Sequence, residues 1–454
     1  MQPTIILADQ FATPADIPDE LVFDPVTGLP RLSVALGDLA RGILDAKEKQ
    51  RCVGIVAFAV LPDAELLRLD AVADRALRQD VAQRLIAALR PQDRLYAAEH
   101  WEWLIVLTDL PSRAPLLFAM MKFVKLFASP IATRDGSLLS LGVACGAAVT
   151  PDDGDDPRHL VQSSRIARLS AERSETRHAA YEPAMERIDT MQRRLHTELP
   201  HALSGAGGLA LYIQPQIDFS NGACVGGEAL LRWTLPDGTY VSPPQTMAAV
   251  ERLGLRRTFT RWLLQQAIQI QHRLRDEAIA IVLSVNLTAG DLLDNELPEL
   301  ARQTMATWDI DPACLLFELT ENMMIEDTAQ VLGVLHQLRQ LGLELSVDDF
   351  GTGYASMSYL KRLPVQEVKI DQMFVRQIET SAQDREIVDS VVQLAHRLGM
   401  IVVAEGVETA AAAQILAQLG CDRGQGYLYA KALPLEEFIA WQRARTANSG
   451  QTRR

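Results

Sequence analysis

The second half of the chain repeats a buried strand followed by a helix, and this rhythm limits the possible folds more than any other feature. Helical patterns such as Thr258–Leu274, Thr328–Leu341 and Asp384–Leu398 separate most of the strands. Eight strand–helix units in about 250 residues are typical of a (β/α)8 barrel. The repeat does not by itself close a barrel, so a doubly wound open sheet is the alternative. The predicted strands are LALYIQPQID (209–218), VGGEALLRW (225–233), IAIVLSVNL (279–287), LLFELTE (315–321), LELSVDDF (343–350), EVKID (367–371), IVVAEGVE (401–408) and GQGYLY (424–429).

The first half alternates short strands and helices in a different order. This order predicts a small α+β domain with a mostly antiparallel sheet. A tight turn near Glu99-His100 joins its second and third strands. The predicted strands are 52–60, 94–99, 101–109 and 138–150, and the predicted helices are Asp70–Arg90, Ala114–Ala128 and Pro157–Ala171.

A polar helical segment separates the two halves and is predicted to be a solvated connector helix. The resulting organisation has five parts. They are an N-terminal extension (1–20), the α+β domain (21–181), the connector helix (182–203), the barrel domain (204–447) and a flexible tail (448–454).

Charge and composition exclude several classes of protein. The chain has 44 Lys and Arg against 58 Asp and Glu, a net charge of −14, which argues against a broad basic face for a DNA or RNA polymer. The five cysteines are scattered without a CxxC pair, as expected in a reducing compartment. The most apolar window, Leu116 to Phe127, is too short for a membrane span and contains Lys122 and Lys125. The sequence therefore predicts a cytoplasmic protein without a membrane segment.

Polar residues recur where the strands of the second half end. A single acid after a strand is more often a helix cap than a functional group. Seven strands with such endings, in a barrel whose functional face lies at the carboxyl ends of the strands, predict one shared pocket. These residues are Glu228, Asn286, Glu318 with Glu321, Asp348 with Asp349, Asp371, Glu405 with Glu408, and Gln425.

So many carboxylates stay ionised together only when cations lie among them. The donors are all oxygen, which favours Mg²⁺ or Mn²⁺ over softer metals. The Asp348-Asp349 pair suits a carboxylate that bridges two metal ions. Lys369, inside an apolar strand, is either an edge-strand lysine or a cation that orients a nucleophilic water or a transition-state oxyanion.

Seven motifs, in order, resemble the EAL family of cyclic di-GMP phosphodiesterases. The resemblance runs from about Leu195 to Trp441 and implies a TIM-like barrel that cuts cyclic di-GMP to linear pGpG with two Mg²⁺ or Mn²⁺ ions. The motifs are EALLRW (228–233), VNLT (285–288), ELTE (318–321), DDFGTGY (348–354), KID (369–371), AEGVE (404–408) and GQGY (424–427).

The resemblance also implies roles for individual residues. One metal would be held by Glu228, Asn286, Glu318 and Asp348, and the second by Asp348, Asp349 and Glu405. Glu405 is alternatively the general base. The catalytic group would comprise Lys369, Glu405 and Asp348, with Lys369 touching the catalytic water. Substrate would be bound by Gln214, Leu230, Arg232, Asp371, Glu408 and Gln425.

The DDFGTGY loop is implied to couple dimerisation to activity. Glu321 would brace this loop, and Gly351 and Gly353 would supply its backbone freedom. Two positions depart from the usual pattern, Ala355 in place of a serine and Gln216 in place of an aliphatic residue. Neither departure removes a ligand, so an active enzyme that forms a homodimer through this domain is expected.

The first half resembles a GGDEF domain, the nucleotide-cyclase-like diguanylate cyclase module, through DPVTGLP (24–30) and Val149-Thr150-Pro151. The signature turn is replaced by Glu99-His100-Trp101-Glu102-Trp103 and lacks the glycine pair that lets backbone approach a nucleotide. We therefore expect a degenerate domain without cyclase activity, retained for regulation or dimerisation.

Together these features predict a hydrolase specific for cyclic di-GMP, with a regulatory protein partner as a further possibility. The main alternative is a receptor or scaffold that binds cyclic di-GMP without cutting it. A metal hydrolase acting on another small phosphodiester is a third reading.

Overall fold

The computed structural model describes residues 22–63, 65–132, 138–320, 329–351 and 362–451. The chain divides between Arg193 and Arg194 into two compact units, here called the N-terminal and C-terminal units.

The N-terminal unit is an α+β domain. Its elements are α1 (Leu32–Lys49), β1 (Cys52–Val60), α2 (Ala71–Ala88), β2 (Arg94–Glu99), β3 (Glu102–Leu110), α3 (Ala114–Lys125), β4 (Ile131–Ala132), β5 (Leu138–Leu139), β6 (Val143–Thr150), α4 (Pro157–Ala171) and β7 (His178–Ala180). The helix α5 (Pro183–His201) follows and contains the division between the units.

Five strands of this unit form one sheet in the order β2-β3-β1-β6-β7, antiparallel except for the parallel pair β6–β7. Helices cover both faces because both faces of the central strands are apolar. Leu77 of α2 and Leu116 of α3 pack in one core cluster, and Leu39 of α1 and Leu160 of α4 pack in the other. The predicted antiparallel α+β organisation agrees with this sheet, whereas α1 is not among the predicted helices.

The C-terminal unit carries the strand–helix repeat. Its elements are β8 (Leu209–Asp218), β9 (Cys224–Thr234), β10 (Tyr240–Val241), α6 (Pro243–Arg252), α7 (Arg256–Asp276), β11 (Val282–Asn286), α8 (Ala289–Leu292), α9 (Leu297–Trp308), β12 (Leu315–Thr320), α10 (Ala329–Gln340), β13 (Glu344–Phe350), β14 (Glu367–Ile370), α11 (Gln372–Val375), α12 (Ala382–Arg397), β15 (Ile401–Ala404), α13 (Ala410–Gln418), β16 (Arg423–Gln425) and α14 (Leu435–Gln451).

Eight of these strands close into a barrel. The order is β9-β11-β12-β13-β14-β15-β16-β8, and β8 pairs again with β9 to complete the ring. The short strand β10 adds to the outer edge at β9. The predicted (β/α)8 barrel is thus confirmed, and the open sheet is excluded by the β8–β9 pairing.

The first strand departs from strict strand–helix alternation. β8 runs antiparallel to both of its neighbours, β9 and β16, whereas the other barrel neighbours are parallel. Only residues 219–223 join β8 to β9. A parallel crossover needs a dozen or more residues, so this short link permits only an antiparallel hairpin.

The apolar window at 116–127 corresponds to α3 and the turn after it. α3 has 12 residues, or about 18 Å of helix, and carries Lys122 and Lys125. None of the helices in the described ranges is long and apolar enough to cross a membrane.

Candidate active site

The carboxyl ends of the barrel strands bring the predicted polar residues together. Parallel pairing sets Asn286 of β11 beside Glu318 of β12, and Thr320 of β12 beside Asp348 of β13. Side chains alternate across a strand, so within β14 Glu367 and Lys369 point to the same side and Val368 and Ile370 to the other. Both charged side chains of β14 are buried, Lys369 completely.

Lys369 lies at the centre of four carboxylates. Its Nζ is 2.6 Å from Glu405 Oε1 and 2.9 Å from Glu318 Oε2. It is 3.2 Å from Glu228 Oε2 and also 3.2 Å from Asp348 Oδ1. An edge-strand lysine is exposed, so the 0% exposure of Lys369 excludes that interpretation.

The charges of this cluster change the proton affinities of its members. Burial acts to lower the pKa of the Lys369 ammonium, but the four carboxylates outweigh burial and hold that pKa well above its usual value. Burial acts to raise the pKa of the Glu228 carboxyl. The charge of Lys369 and the amide donors around Glu228 outweigh it, so this pKa is lowered. The cluster therefore favours the charged form of both Lys369 and Glu228.

Glu318, Glu405 and Asp349 hold their protons more tightly. Burial and the charge of Glu228 raise the pKa of the Glu318 carboxyl well above its ordinary value. Burial raises the pKa of Glu405 to about 8 despite the opposing charge of Lys369. Burial and the charge of Asp348 raise the pKa of Asp349 to about 6. The cluster carries more carboxylates than one lysine can neutralise.

The end of β13 has the geometry of a cation site. One oxygen from each of Asp348, Asp349 and Glu405 lies within 4.8 Å of the others. The backbone at Asp349 is left-handed, with φ of 56°, and its N–H donates to Asp348 Oδ1 at 3.0 Å. The oxygen Oε1 of buried Glu318 has no hydrogen-bond partner among the described residues. An all-oxygen donor set with an unpartnered carboxylate oxygen fits a hard divalent cation.

Amide side chains complete the cluster around Glu228. Asn286 Nδ2 donates to Glu228 Oε1 at 2.8 Å, and Gln425 Nε2 donates to Glu228 Oε2 at 2.6 Å. Gln425 Nε2 also lies 3.1 Å from Gln214 Oε1. Gln214 donates in turn to the carbonyl of Ala430 at 3.2 Å. Both oxygens of Glu228 are thus held in fixed directions.

The other four predicted substrate-binding residues differ in their contacts. Asp371 caps α11 through the N–H of Met373, at 2.6 Å, and a hydrogen bond from its side chain contributes to the raised pKa of Asp349. Leu230 is partly exposed and Glu408 is exposed. The Arg232 guanidinium carbon lies 5.9 Å from the centre of the Tyr212 ring. Within the described ranges, Leu230, Arg232 and Glu408 form no hydrogen bond or ion pair with the cluster.

The predicted coupling loop is described only at its start. Gly351 has φ of 100°, and a Cβ at this position would meet the Phe374 ring at 2.9 Å, so both conformation and space require glycine. Glu321 and Gly353 lie outside the described residues, as does Ala355.

The turn at 99–103 of the N-terminal unit engages Glu102 in an ion pair. Arg165 of α4 binds Glu102 at both oxygens, with distances of 2.7 and 3.1 Å. Arg165 also lies 3.4 Å from Glu99. Glu102 is buried, and Trp103 beside it is fully buried in the core. Glu102 is therefore a structural anion in this unit.

Gln216 belongs to the network, although the sequence analysis noted it only as a departure from the usual residue. It is buried beneath Gln425 and donates to it. Its position two residues after Gln214 was the available signal, because residues two apart on a strand face the same side.

Comparison with known proteins identifies a matching family and relatives of this chain. The EAL domain family matches residues 196–432. The chain is 35% identical over 326 residues to a cyclic di-GMP phosphodiesterase of Pseudomonas aeruginosa, covering 71% of this chain and 55% of that protein. It is 32% identical over 365 residues to the bifunctional diguanylate cyclase/cyclic di-GMP phosphodiesterase MucR of the same organism, covering 80% and 53% respectively. The chain thus spans about half the length of these curated relatives.

A solved structure is also similar to part of this chain. The PaMucR phosphodiesterase in complex with c-di-GMP is 35% identical, with a TM-score of 0.51. The match covers 54% of this chain and 99% of that one.

Proposed function

This chain belongs to the EAL domain family, and on that basis we propose that it hydrolyses cyclic di-GMP to linear pGpG with two divalent metal ions. The observation that carries the proposal is the convergence of Glu228, Glu318, Asp348 and Glu405 around Lys369 at the carboxyl ends of the strands. Relatives named as cyclic di-GMP phosphodiesterases support the choice of substrate.

We assign the metal ligands to two overlapping groups. Asp348, Asp349 and Glu405 would hold one ion, because their oxygens already lie within 4.8 Å of one another. Glu228, Asn286, Glu318 and Asp348 would hold the other. The oxygen donors favour Mg²⁺ or Mn²⁺. When bound, such ions supply Lewis acidity, which lowers the pKa of water and offsets charge on phosphate.

Lys369 acts as the fixed cation of the site. Five carboxylates, those of the two ligand groups, and one ammonium leave four negative charges, which two divalent ions would offset. The ammonium orients Glu405, its nearest partner, and places positive charge where a water or phosphate oxygen becomes negative. Protons leave Glu405 and Asp349 before these carboxylates act as ligands, because only the ionised form binds a cation.

The substrate is proposed to lie above this cluster. Arg232 would bind a phosphate, since a guanidinium fork matches phosphate oxygens. Gln214, Leu230, Asp371, Glu408 and Gln425 would contact the remainder of the dinucleotide and its water network.

The N-terminal unit is proposed to be a GGDEF-like regulatory or dimerisation module without cyclase activity. We assign it residues 21–181, followed by the connector helix 182–203 and the EAL domain at 204–447. The ion pair of Glu102 with Arg165 supports the loss of activity, because this acid is already neutralised by protein. We propose a homodimer through the EAL domain, with the loop that begins at Gly351 coupling dimerisation to turnover.

A product assay tests the proposal. Purified protein is mixed with cyclic di-GMP and Mg²⁺ or Mn²⁺, and the products are separated by chromatography. We expect pGpG from the wild type and none from Glu228→Ala, which removes a ligand. Binding of cyclic di-GMP without pGpG, at enzyme concentrations matching substrate, would show a receptor instead. If a different cyclic phosphodiester were cleaved faster in competition, that compound would replace cyclic di-GMP as the proposed substrate.

A further inference from the structure

The reversed first strand of the barrel places two glutamines on the same side of the sheet. Gln214 of β8 lies in register with Glu228 of β9, and Gln216 of β8 lies in register with Gln425 of β16. Residues two apart on a strand face the same way, so both amides enter the barrel interior. Gln216 is 2% exposed, deeper than Gln214.

A directed series of hydrogen bonds starts at Gln216. Its Nε2 donates to Gln425 Oε1 at 3.0 Å. Gln425 Nε2 then donates to Glu228 Oε2 at 2.6 Å and to Gln214 Oε1 at 3.1 Å. Each step runs from an amide N–H to an oxygen, and the branch from Gln425 to Glu228 ends on a carboxylate that only accepts.

The hydrogen bond from Gln216 to Gln425 determines the hydrogen bond from Gln425 to Glu228, because of the structure of the amide group. A glutamine side chain has one carbonyl oxygen and one NH₂ group, and rotation by 180° exchanges them. If the amide of Gln425 rotated, its carbonyl oxygen would face the Glu228 carboxylate and the two would repel. The N–H donor of Gln216 stabilises only the orientation of the Gln425 amide in which its NH₂ group faces Glu228.

Packing holds Gln216 in place. A Cβ at Gly226 would lie 2.5 Å from Gln216 Oε1, so the side chain fills space that only glycine leaves open. In addition, Gln216 and Gln425 are both at least 96% buried, where water does not compete for their hydrogen bonds.

We propose that Gln216 is a positioning residue, which fixes the amide of Gln425 so that this amide donates to Glu228 and holds its carboxylate in the orientation a divalent cation requires. The inference rests on the proposed function only for its activity readout. Gln216 acts through Gln425 and touches neither metal nor substrate.

The first test replaces Gln216 with leucine and compares it with Gln271→Leu. Gln271 is a matched control, since it is 4% exposed in the same unit and donates to the carbonyls of Ile281 and Cys314, away from the acid cluster. Loss of one positioning hydrogen bond should weaken Mn²⁺ binding and lower kcat by about three- to tenfold, with KM nearly unchanged. Gln271→Leu should lower thermal stability without changing Mn²⁺ affinity.

The second test is a double-mutant cycle with Gln425→Leu. If Gln216 acts through Gln425, the variant Gln216→Leu/Gln425→Leu binds Mn²⁺ no more weakly than Gln425→Leu alone. Additive losses would show an independent role and overturn the proposal. Gln216→Glu, which offers Gln425 an acceptor in place of a donor, should bind Mn²⁺ no better than Gln216→Leu, and wild-type affinity in this variant would also contradict the mechanism.

Mn²⁺ affinity is measured by calorimetry, independently of turnover. If the wild type makes no pGpG, the proposed function fails while the cycle still tests Gln216. If the wild type is active and Gln216→Leu matches it in both Mn²⁺ affinity and kcat, the positioning role alone is wrong.

Discussion

Lys369 Nζ and Glu405 Oε1 lie 2.6 Å apart, the shortest of the four contacts between this lysine and the carboxylates around it. Lys369 is the third of the four residues of β14, and Glu405 directly follows the neighbouring strand β15. This contact affects both the stability of the metal-free protein and the pH dependence of its metal binding.

Replacing Lys369 with methionine should destabilise the metal-free protein. The change leaves four carboxylates without their buried cation, and breaking a buried charge cluster of this kind costs about 3–5 kcal/mol. Chemical unfolding measured without metal gives the loss, and Mn²⁺ should recover part of it because a cation again lies among the acids. Arg302→Met, which breaks the exposed pair with Glu299, is the control and should leave the free energy of unfolding nearly unchanged. Equal effects of the two changes would contradict the central role of Lys369.

Affinity for Mn²⁺ should rise with pH. Asp349 has a pKa of about 6 and Glu405 of about 8 without metal, both raised first by burial, and a carboxyl must lose its proton before it ligates a cation. Binding is therefore weak below pH 6, where both groups hold protons, and strengthens as the pH passes each pKa. Calorimetric titrations at pH 5.5, 7 and 8.5, in buffers of different ionisation enthalpy, should detect proton release on binding at the two lower pH values. Constant affinity over this range would show that neither carboxyl binds the ion.

The protein should make no cyclic di-GMP from GTP. The turn at 99–103 lacks glycines, and Arg165 neutralises Glu102 at both oxygens. The assay is best run with the Glu228→Ala variant, in which any cyclic di-GMP would accumulate instead of being hydrolysed. An active diguanylate cyclase in parallel validates the detection. Accumulation of cyclic di-GMP would show that the N-terminal unit has cyclase activity and would contradict the prediction.

Gly146→Ala should destabilise the N-terminal unit. A Cβ on this β6 residue would lie 1.8 Å from the backbone nitrogen of Arg168 in α4, so the helix would have to move away from the sheet. Overpacking of this kind costs about 1–3 kcal/mol. Gly37→Ala is the matched control, because a Cβ there meets nothing within 4 Å and the α1 helix gains up to about 1 kcal/mol from alanine. Urea unfolding of both variants measures the difference, and opposite signs are expected.

Much of the barrel could be predicted from the sequence, because its strands are buried and appear as clear runs of aliphatic residues. The segments around Leu283, Phe317 and Val403 are apolar at every barrel position that faces the helices. The antiparallel direction of β8 did not follow from that pattern, because a run of apolar residues does not show which way its strand runs. Only the short link at 219–223 distinguishes a hairpin from a crossover.

The candidate site was predictable where residue type and strand end coincide, as at Glu228 and Asp348. The contacts of Lys369 were harder to foresee. Its position in a buried strand indicated a special role, but the four carboxylate partners come from four other segments of chain, and only the closed barrel brings them within 3.2 Å. The contact between Gln216 and Gln425 was not predictable from the sequence, because the two residues are 209 positions apart.

The pairing of β8 with β16 also affects how the chain folds. β8 is the first strand of the barrel along the chain, yet it pairs with β16, the last, and Gln216 and Gln425 are 209 positions apart. Closing so long a loop is slow, because its entropy is lost before any contact repays it. The glutamine network must therefore form among the final events of folding, once the chain has been synthesised beyond β16. A ribosome-bound chain that ends before Arg423 would lack the last strand of the barrel, and Glu228 would lack its hydrogen bond from Gln425.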